Sequence, residues 1–290
     1  MVQPSLYSTP PDADRSDDLL AAYEAHLAER NGNLWTPDGF ERRNQDMAEL
    51  DASSRSQRIH RHIDADRFNA LYTGFRASPD LDEDLLSLLA FVKVNAAEAY
   101  GVEVTTAARA KRLDPNNPLM RLEHVLAREE TYHTRLLCGV TDHVDGLTVE
   151  GAWTPPTSVK VLIHVLAYAP GWLFHPILLG SEIAGVFLFN WMLKRCQSLF
   201  PNDPAMRESM ERRLIEVLVD EIGHIAFNRI AVGPVGVRVA RPLAAAVNRG
   251  VSQQHPEFQL LGMDANTHRE LADFDLHSLP EEVRRRAFFV

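Results

Sequence analysis

Cysteine is scarce: the 290-residue chain has only Cys138 and Cys196, far apart and in no CxxC spacing. That excludes a disulfide-stapled scaffold and a thiolate zinc knuckle, and it fits a reducing compartment where each thiol packs as a small buried hydrophobe. Long basic runs are also lacking, and acidic residues outnumber basic ones 40 to 30, giving a formal net charge of -10. A nucleic-acid backbone demands grouped Lys and Arg, so nucleic acid is not expected as a partner. The opening stretch "MVQPSLYSTPPDADRSDD" has neither a cationic nor an apolar segment. It does not read as a secretion signal, so a cytoplasmic location is expected, with residues 1–15 disordered. Of the 30 basic residues only Lys93, Lys111, Lys160 and Lys194 are lysine. This bias suggests a GC-rich bacterial genome, and with it specialised metabolism.

What the chain does have is helix-period hydrophobicity, with 45% apolar residues, enough for a large core. "SDDLLAAYEAHLAERNG" (16–32) carries Ser16 as N-cap, acidic residues in its first turn and Gly32 as stop. The charged stretch that follows, to about residue 64, reads as a solvated helix or linker with little chemistry. Longer apolar-periodic segments then cover about 80–112, 118–140, 158–200 and 204–231, with further helical texture at 235–252. "DPNNP" and "PNDP" separate three of them, and Pro118 and Pro204 each stand as a first-turn proline behind Asn117 and Asp203. No strand-like alternation competes. The expected fold is all-α, with a four-helix core over about 80–231 inside a single domain (16–252), flanking helices, and a C-terminal extension (253–290).

One run is long enough to raise a membrane span: "VLIHVLAYAPGWLFHPILLGS" (161–181) holds no formal charge, and apolar character resumes from Ile183 to Leu193. Pro170, Gly171 and Pro176 interrupt it, and Glu182 sits at its centre, where lipid would penalise a charge. A helix buried on all sides in a bundle has the same composition. The buried helix is the expectation and no membrane partner is expected, a monotopic membrane association being the minor alternative.

Against this apolar background, two strings recur: "EETYH" at 129–133 and "DEIGH" at 220–224. Residues three apart share a helix face, so Glu130 and His133 point one way, as do Glu221 and His224. Each pair can hold a metal ion, whose charge would offset the cost of burying the carboxylates. A dimetal site in a bundle core needs one further carboxylate from each of two other helices. Glu182 is the only acid of its segment; it stands 18 residues before position 200, while Glu221 stands 17 after position 204. Antiparallel neighbours therefore bring the two level. Glu98 stands 14 residues before position 112, and Glu130 and His133 stand 12 and 15 after Pro118, again level. Glu103 stands only 9 before position 112, about 7 Å off at 1.5 Å per residue. The predicted ligand set is Glu98, Glu130, His133, Glu182, Glu221 and His224. Four carboxylates and two imidazoles suit iron or manganese better than zinc, and they balance two divalent ions.

In the order Glu, ExxH, Glu, ExxH, the segment 80–231 resembles the ferritin-like di-iron carboxylate proteins. The acid before each motif, Glu129 and Asp220, is similar to the EExxH and DExxH strings of acyl-carrier-protein desaturases and of bacterial multicomponent monooxygenases; arylamine N-oxygenases belong to the same superfamily. The resemblance implies that Glu129 and Asp220 accept the distal N–H of a metal-bound histidine. Tyr132 and Gly223 stand where the desaturases carry Arg, and Val217 where the N-oxygenases carry an additional His, so the likeness is to the superfamily and not to one branch. It implies two iron ions, O2 as co-substrate, and oxidation of a small organic substrate by hydroxylation, N-oxygenation or desaturation. A ferroxidase without organic substrate would use the same ligands. The chain has no flavin fingerprint and no glycine-rich phosphate loop, so electrons would come from a ferredoxin or reductase. Exposed apolar helices in such architectures often pair, which leaves a homodimer open. His175 shares a face with Glu182 and Glu123 with Glu130; the commoner roles are a hydrogen-bonded core histidine and a salt-bridge partner. Tyr100 and Tyr132 read as packing residues, as do Trp172, Trp191, Phe187 and Phe189.

Overall fold

The structure, a computed structural model, describes residues 5–57, 63–78, 80–94, 96–110, 114, 116–150, 154–197 and 203–290. Among them no strand occurs, and twelve α-helices follow one another. They are α1 (Ser16–Asn31), α2 (Glu41–Ser56), α3 (Ala65–Thr73), α4 (Glu83–Lys93), α5 (Ala96–Arg109), α6 (Pro118–Cys138), α7 (Thr157–Ala167), α8 (Gly171–Cys196), α9 (Pro204–Gln254), α10 (Pro256–Leu260), α11 (Ala265–Glu270) and α12 (Glu281–Arg286).

Local chemistry sets most of these boundaries. Pro118 opens α6 behind Asn117, whose side chain accepts from the backbone N–H groups of Leu119 and Met120. Pro204 likewise opens α9 behind Asp203, but without a side-chain cap bond. Ser16 is the first helical residue of α1 rather than its cap, and Gly32 ends that helix at a φ of 87°. The segment expected over 80–112 is described as α4 and α5, with Asn95 and residues 111–113 outside the described residues. The expected 158–200 helix is two, because Pro170 carries extended backbone and starts α8 anew. Within α9, Gly233 takes a φ of 63°, immediately before Pro234, and divides the helix into arms 204–232 and 234–254.

Among the described residues α8 and α9 share the most extensive helix–helix contact. The second arm runs back along α8, with Gly236 against Pro176 and Gly180 against Ala240, Leu243 and Ala244. A Cβ on Gly180 would come within 2.6 Å of Leu243 Cβ and 3.1 Å of the Ala244 nitrogen, so glycine permits this close approach. α6 packs on the first arm and α5 on α6. The main core contains Phe91, Leu137, Leu179, Ile183, Phe187, Leu214, Leu218 and Ile225, so α4, α6, α8 and α9 share one apolar interior. Three segments, Glu83–Arg109, Gly171–Cys196 and Pro204–Val251, are long and apolar enough by composition to cross a membrane. Here the second and third pack on each other, and Glu98, Glu182 and Glu221 from the three segments bring donor atoms into one cluster.

The flanks are structural parts of this body. From residue 5 onward, the stretch expected to be disordered packs: Leu6 is fully buried, its N–H bonds Asp275 at 2.9 Å, and the Arg229 guanidinium donates to the Ser8 carbonyl at 2.8 Å. α2 is held by Arg213, which donates to Asp51 and Ser54 of α2 and to the Leu136 carbonyl of α6. The C-terminal extension anchors on α4 through a buried ion pair, Lys93 Nζ to Glu257 Oε1 at 2.8 Å, with neither side chain more than 1% exposed. Lys93→Met leaves that carboxylate without its ammonium and is expected to cost about 3–5 kcal/mol in denaturant unfolding. Lys93→Met with Glu257→Leu is expected to recover most of the loss; equal stability of wild type and single variant would show that the pair carries no weight.

Candidate metal centre

α5, α6, α8 and the first arm of α9 each contribute side chains to one interior cluster. Donor atoms of Glu98, Glu130, His133 and Glu221 lie within 4.8 Å of one another, and so do those of Glu130, Glu182, Glu221 and His224. All six predicted residues are therefore brought together, in two groups of four that share Glu130 and Glu221. Glu103 stays outside the cluster, as the helix register requires, and is exposed.

The distances within the cluster are short. His133 Nδ1 lies 3.0 Å from Glu130 Oε2 and 3.1 Å from Glu221 Oε1, and His224 Nδ1 lies 2.7 Å from Glu130 Oε1 and 3.5 Å from Glu221 Oε2. Yet Glu130 Oε2, Glu182 Oε2, both Glu221 oxygens and both Nδ1 atoms are buried without hydrogen-bond geometry to any group. Buried polar atoms rarely stay unpaired, because each costs about 1–3 kcal/mol. Donor atoms crowded to about 3 Å but not bonded to one another are what surrounds a cation, since ligands at about 2.1 Å in octahedral positions stand about 3 Å apart. The residues present thus fit a pair of divalent ions, and the oxygen-rich donor set favours iron or manganese.

Electrostatics give the same picture. Burial pushes Glu98 and Glu182 well above the usual carboxylate range, with the charges of Glu130 and Glu221 adding to it. Glu98 keeps partial surface exposure as a residue, while its carboxyl group faces the other acids. Burial would also raise Glu221 and Glu130, but the adjoining imidazoles outweigh it and hold both below their ordinary value. Burial disfavours a charge on His133 and His224, and the surrounding carboxylates reverse this, so both are held well above the usual imidazole range.

Glu129 and Asp220 sit where the sequence placed them, and they work crosswise. Nε2 of His133 bonds Asp220 Oδ2 at 3.2 Å, and Nε2 of His224 bonds Glu129 Oε2 at 3.2 Å. Each motif's acid therefore orients the other motif's histidine and turns its Nδ1 towards the cluster. Behind these acids stands a layer that the sequence reading missed, from α1 and from the charged stretch read as having little chemistry. Asn31 donates to Glu129 Oε1 at 2.6 Å; Arg30 donates to Asp220 Oδ1 at 2.6 Å, and buried Arg43 bonds Asp220 Oδ2. Burial would raise Asp220, but Arg43 and Arg30 dominate and hold it well below the usual carboxylate range. A signal was present: Arg43, Met47, Leu50, Asp51 and Ser54 recur on one face of α2 and are all buried. Gly223 also finds its reason, because a Cβ there would lie 3.0 Å from the Tyr23 hydroxyl of α1.

The other candidates take the commoner roles. His175 Nε2 meets Glu123 Oε1 at 3.1 Å and its Nδ1 meets Asn228 Oδ1 at 3.2 Å; Asn228 in turn donates to the His224 carbonyl at 3.0 Å. Arg109 grips Glu123 with two bonds of 3.0 Å, so neither His175 nor Glu123 joins the cluster. Tyr132 stacks on Phe40 and donates to Asn44 at 3.0 Å, and the Tyr100 hydroxyl meets His164 at 3.4 Å. Two cavities flank the site. One of about 570 Å³ lies along α5 and α6, is lined by Ala99, Val102, Ala107 and Ala127, and reaches Glu130. The other, about 890 Å³, is bounded by Arg109, Glu123 and His175 on one side and by Trp172, Leu173, Val235 and Val239 on another. Comparison of the chain with family models, with curated proteins and with solved structures finds no match in any of the three.

Proposed function

We propose that the protein is a ferritin-like di-iron oxygenase that uses O2 to oxidise a small organic substrate, with electrons from a ferredoxin or reductase. The observation that carries this reading is the pair of four-residue groups sharing Glu130 and Glu221, with each histidine's distal nitrogen held by the acid of the other motif. Glu98 and His133 would hold one ion, Glu182 and His224 the other, and Glu130 and Glu221 both. Bound there, the iron pair would supply the redox equivalents that O2 activation requires. The chain's own residues do the rest. Asp220 and Glu129 fix the imidazole orientation, and the cavity reaching Glu130 offers substrate space between Ala99, Ala107 and Ala127 on one hand and Glu103, His124 and Arg128 on the other. Hydroxylation, N-oxygenation and desaturation all remain within this chemistry.

A ferroxidase reading uses the same ligands but gives no role to a cavity lined by Ala99, Val102, Ala107 and Ala127 beside Glu130. Anaerobic reconstitution with ferrous ion, followed by the optical spectrum on admitting O2, tests the proposal. Two irons per chain and a transient visible band are expected, and absence of tight iron binding would overturn it. Oxygen uptake that depends on added organic substrate separates the oxygenase from the ferroxidase. Within the same assay Glu103→Ala is expected to keep the wild-type iron content while Glu98→Ala loses iron; the reverse pattern would mean that α5 engages the ions in another register.

A further inference from the structure

The 161–181 run, expected to be wholly buried, is buried only in part. In α7 the only buried residue is Ala167, while Val161, Leu162 and Val165 are exposed. The exposure continues across the Pro170 break through Tyr168, Trp172 (78% exposed) and Leu173. Trp172 and Leu173 then line the larger cleft together with Val235 and Val239 of the second α9 arm, which are also exposed. An exposed apolar surface built from two elements around one cleft marks an interaction face.

Its charge identifies the partner. In a chain with ten more acidic than basic residues, segments 151–181 and 222–256 contain no Asp or Glu at all; of their basic residues Arg238, Arg241 and Arg249 are exposed and Lys160 is half-buried, while Arg229 is buried and takes no part in the face. Arg238 and Arg249 recur at helical spacing with Val235, Val239 and Pro242, and all five are exposed on one side of the arm. The acid at the cleft, Glu123, is already paired with Arg109 and His175. Exposed aliphatic residues, a Tyr and Trp pair at the margin and cations without acids form the pattern of a surface that sinks into the headgroup region of an anionic bilayer. A second copy of the same face would set these arginines against each other.

We infer that this face, from α7 through Trp172 to the second arm of α9, docks the protein on an anionic lipid membrane without spanning it. Docking does not depend on what the metal centre catalyses. It would place the mouth of the larger cleft against the bilayer, so that an apolar molecule dissolved in lipid reaches the wall formed by His175 without crossing water.

Sedimentation of the full chain with vesicles tests this. Retention is expected on vesicles of phosphatidylglycerol mixed with phosphatidylcholine, falling with added salt, and little on phosphatidylcholine alone. Arg238→Gln and Arg249→Gln are each expected to weaken binding about fivefold. Val165→Glu combined with Trp172→Glu is expected to abolish it with an unchanged melting curve, because both side chains are exposed. Equal retention on neutral vesicles, or wild-type retention of the double variant, would overturn the inference. So would a dimer in light scattering that the double variant converts to monomer, with no vesicle binding, since the face then belongs to a second copy of the chain.

Discussion

Glu221→Ala is expected to remove both metal ions at once, whereas Glu98→Ala or Glu182→Ala removes about one. The reason is geometric: Glu221 and Glu130 belong to both groups of donors, while Glu98 and Glu182 each belong to one. Metal per chain, measured by elemental analysis after reconstitution and desalting, checks it. Glu221→Ala that keeps the full wild-type metal content would show that its carboxylate is not shared. The same cluster predicts a pH dependence for wild type. The surrounding carboxylates raise His133 and His224 well above the usual imidazole range, and burial with their neighbours' charge raises Glu98 and Glu182, so each keeps its proton to higher pH. A metal ion must displace those protons, so its apparent affinity rises with pH and binding releases acid. Titration of the metal-free protein in weak buffer should register that release, and affinity independent of pH between acid and neutral conditions would contradict it.

Much of this centre was legible because helices convert sequence spacing into geometry. Two ExxH strings place Glu130 with His133 and Glu221 with His224, and counting residues from the two proline-marked turns was enough to level Glu182 with Glu221 and Glu98 with Glu130. The acids preceding each motif each bond the histidine of the other motif. What spacing did not reveal is where partners come from when helices pack out of order. Arg43 lies in a stretch so rich in charge that it reads as solvated, because its burial is matched by Asp220, 177 residues away. Arg30, Asn31 and Tyr23 belong to the first helix, outside the 80–231 segment that carries the motif. The run 161–181 shows the opposite failure. Apolar composition states that a surface avoids water, and says nothing of whether protein or another phase covers it, so α7 looked like core until its neighbours were placed. Pro170 was noted as an interruption, and its physical effect is to end one helix and start another with a different exposure.

Asp220→Ala is expected to be among the most damaging single changes outside the ligands themselves. Its carboxylate, fully buried, receives Arg43, Arg30 and the Nε2 of His133. The Arg43 side chain is only 4% exposed, so truncation leaves a guanidinium facing no charge in the interior. Breaking such a pair from one side costs about 3–5 kcal/mol, well beyond the about 0–1 kcal/mol of an exposed pair. The loss should appear in denaturant unfolding of the metal-free protein, and it should depend on pH. Because Asp220 is held below the ordinary carboxylate range by its guanidiniums, its contribution is complete above the unfolded value near about 4 and fades as pH falls below it. The gap between wild type and Asp220→Ala is therefore expected to narrow on acidification. Asp220→Asn separates structure from metal chemistry: it keeps the shape and an oxygen for His133 but removes the charge. It is expected to lose less stability than Asp220→Ala while still weakening metal binding about 10–100-fold, the usual consequence of disturbing the partner of a ligating histidine. If both variants bind metal as wild type does, the crosswise bond from His133 to Asp220 does not position the ligand, and the role assigned to the acid before the second motif falls with it.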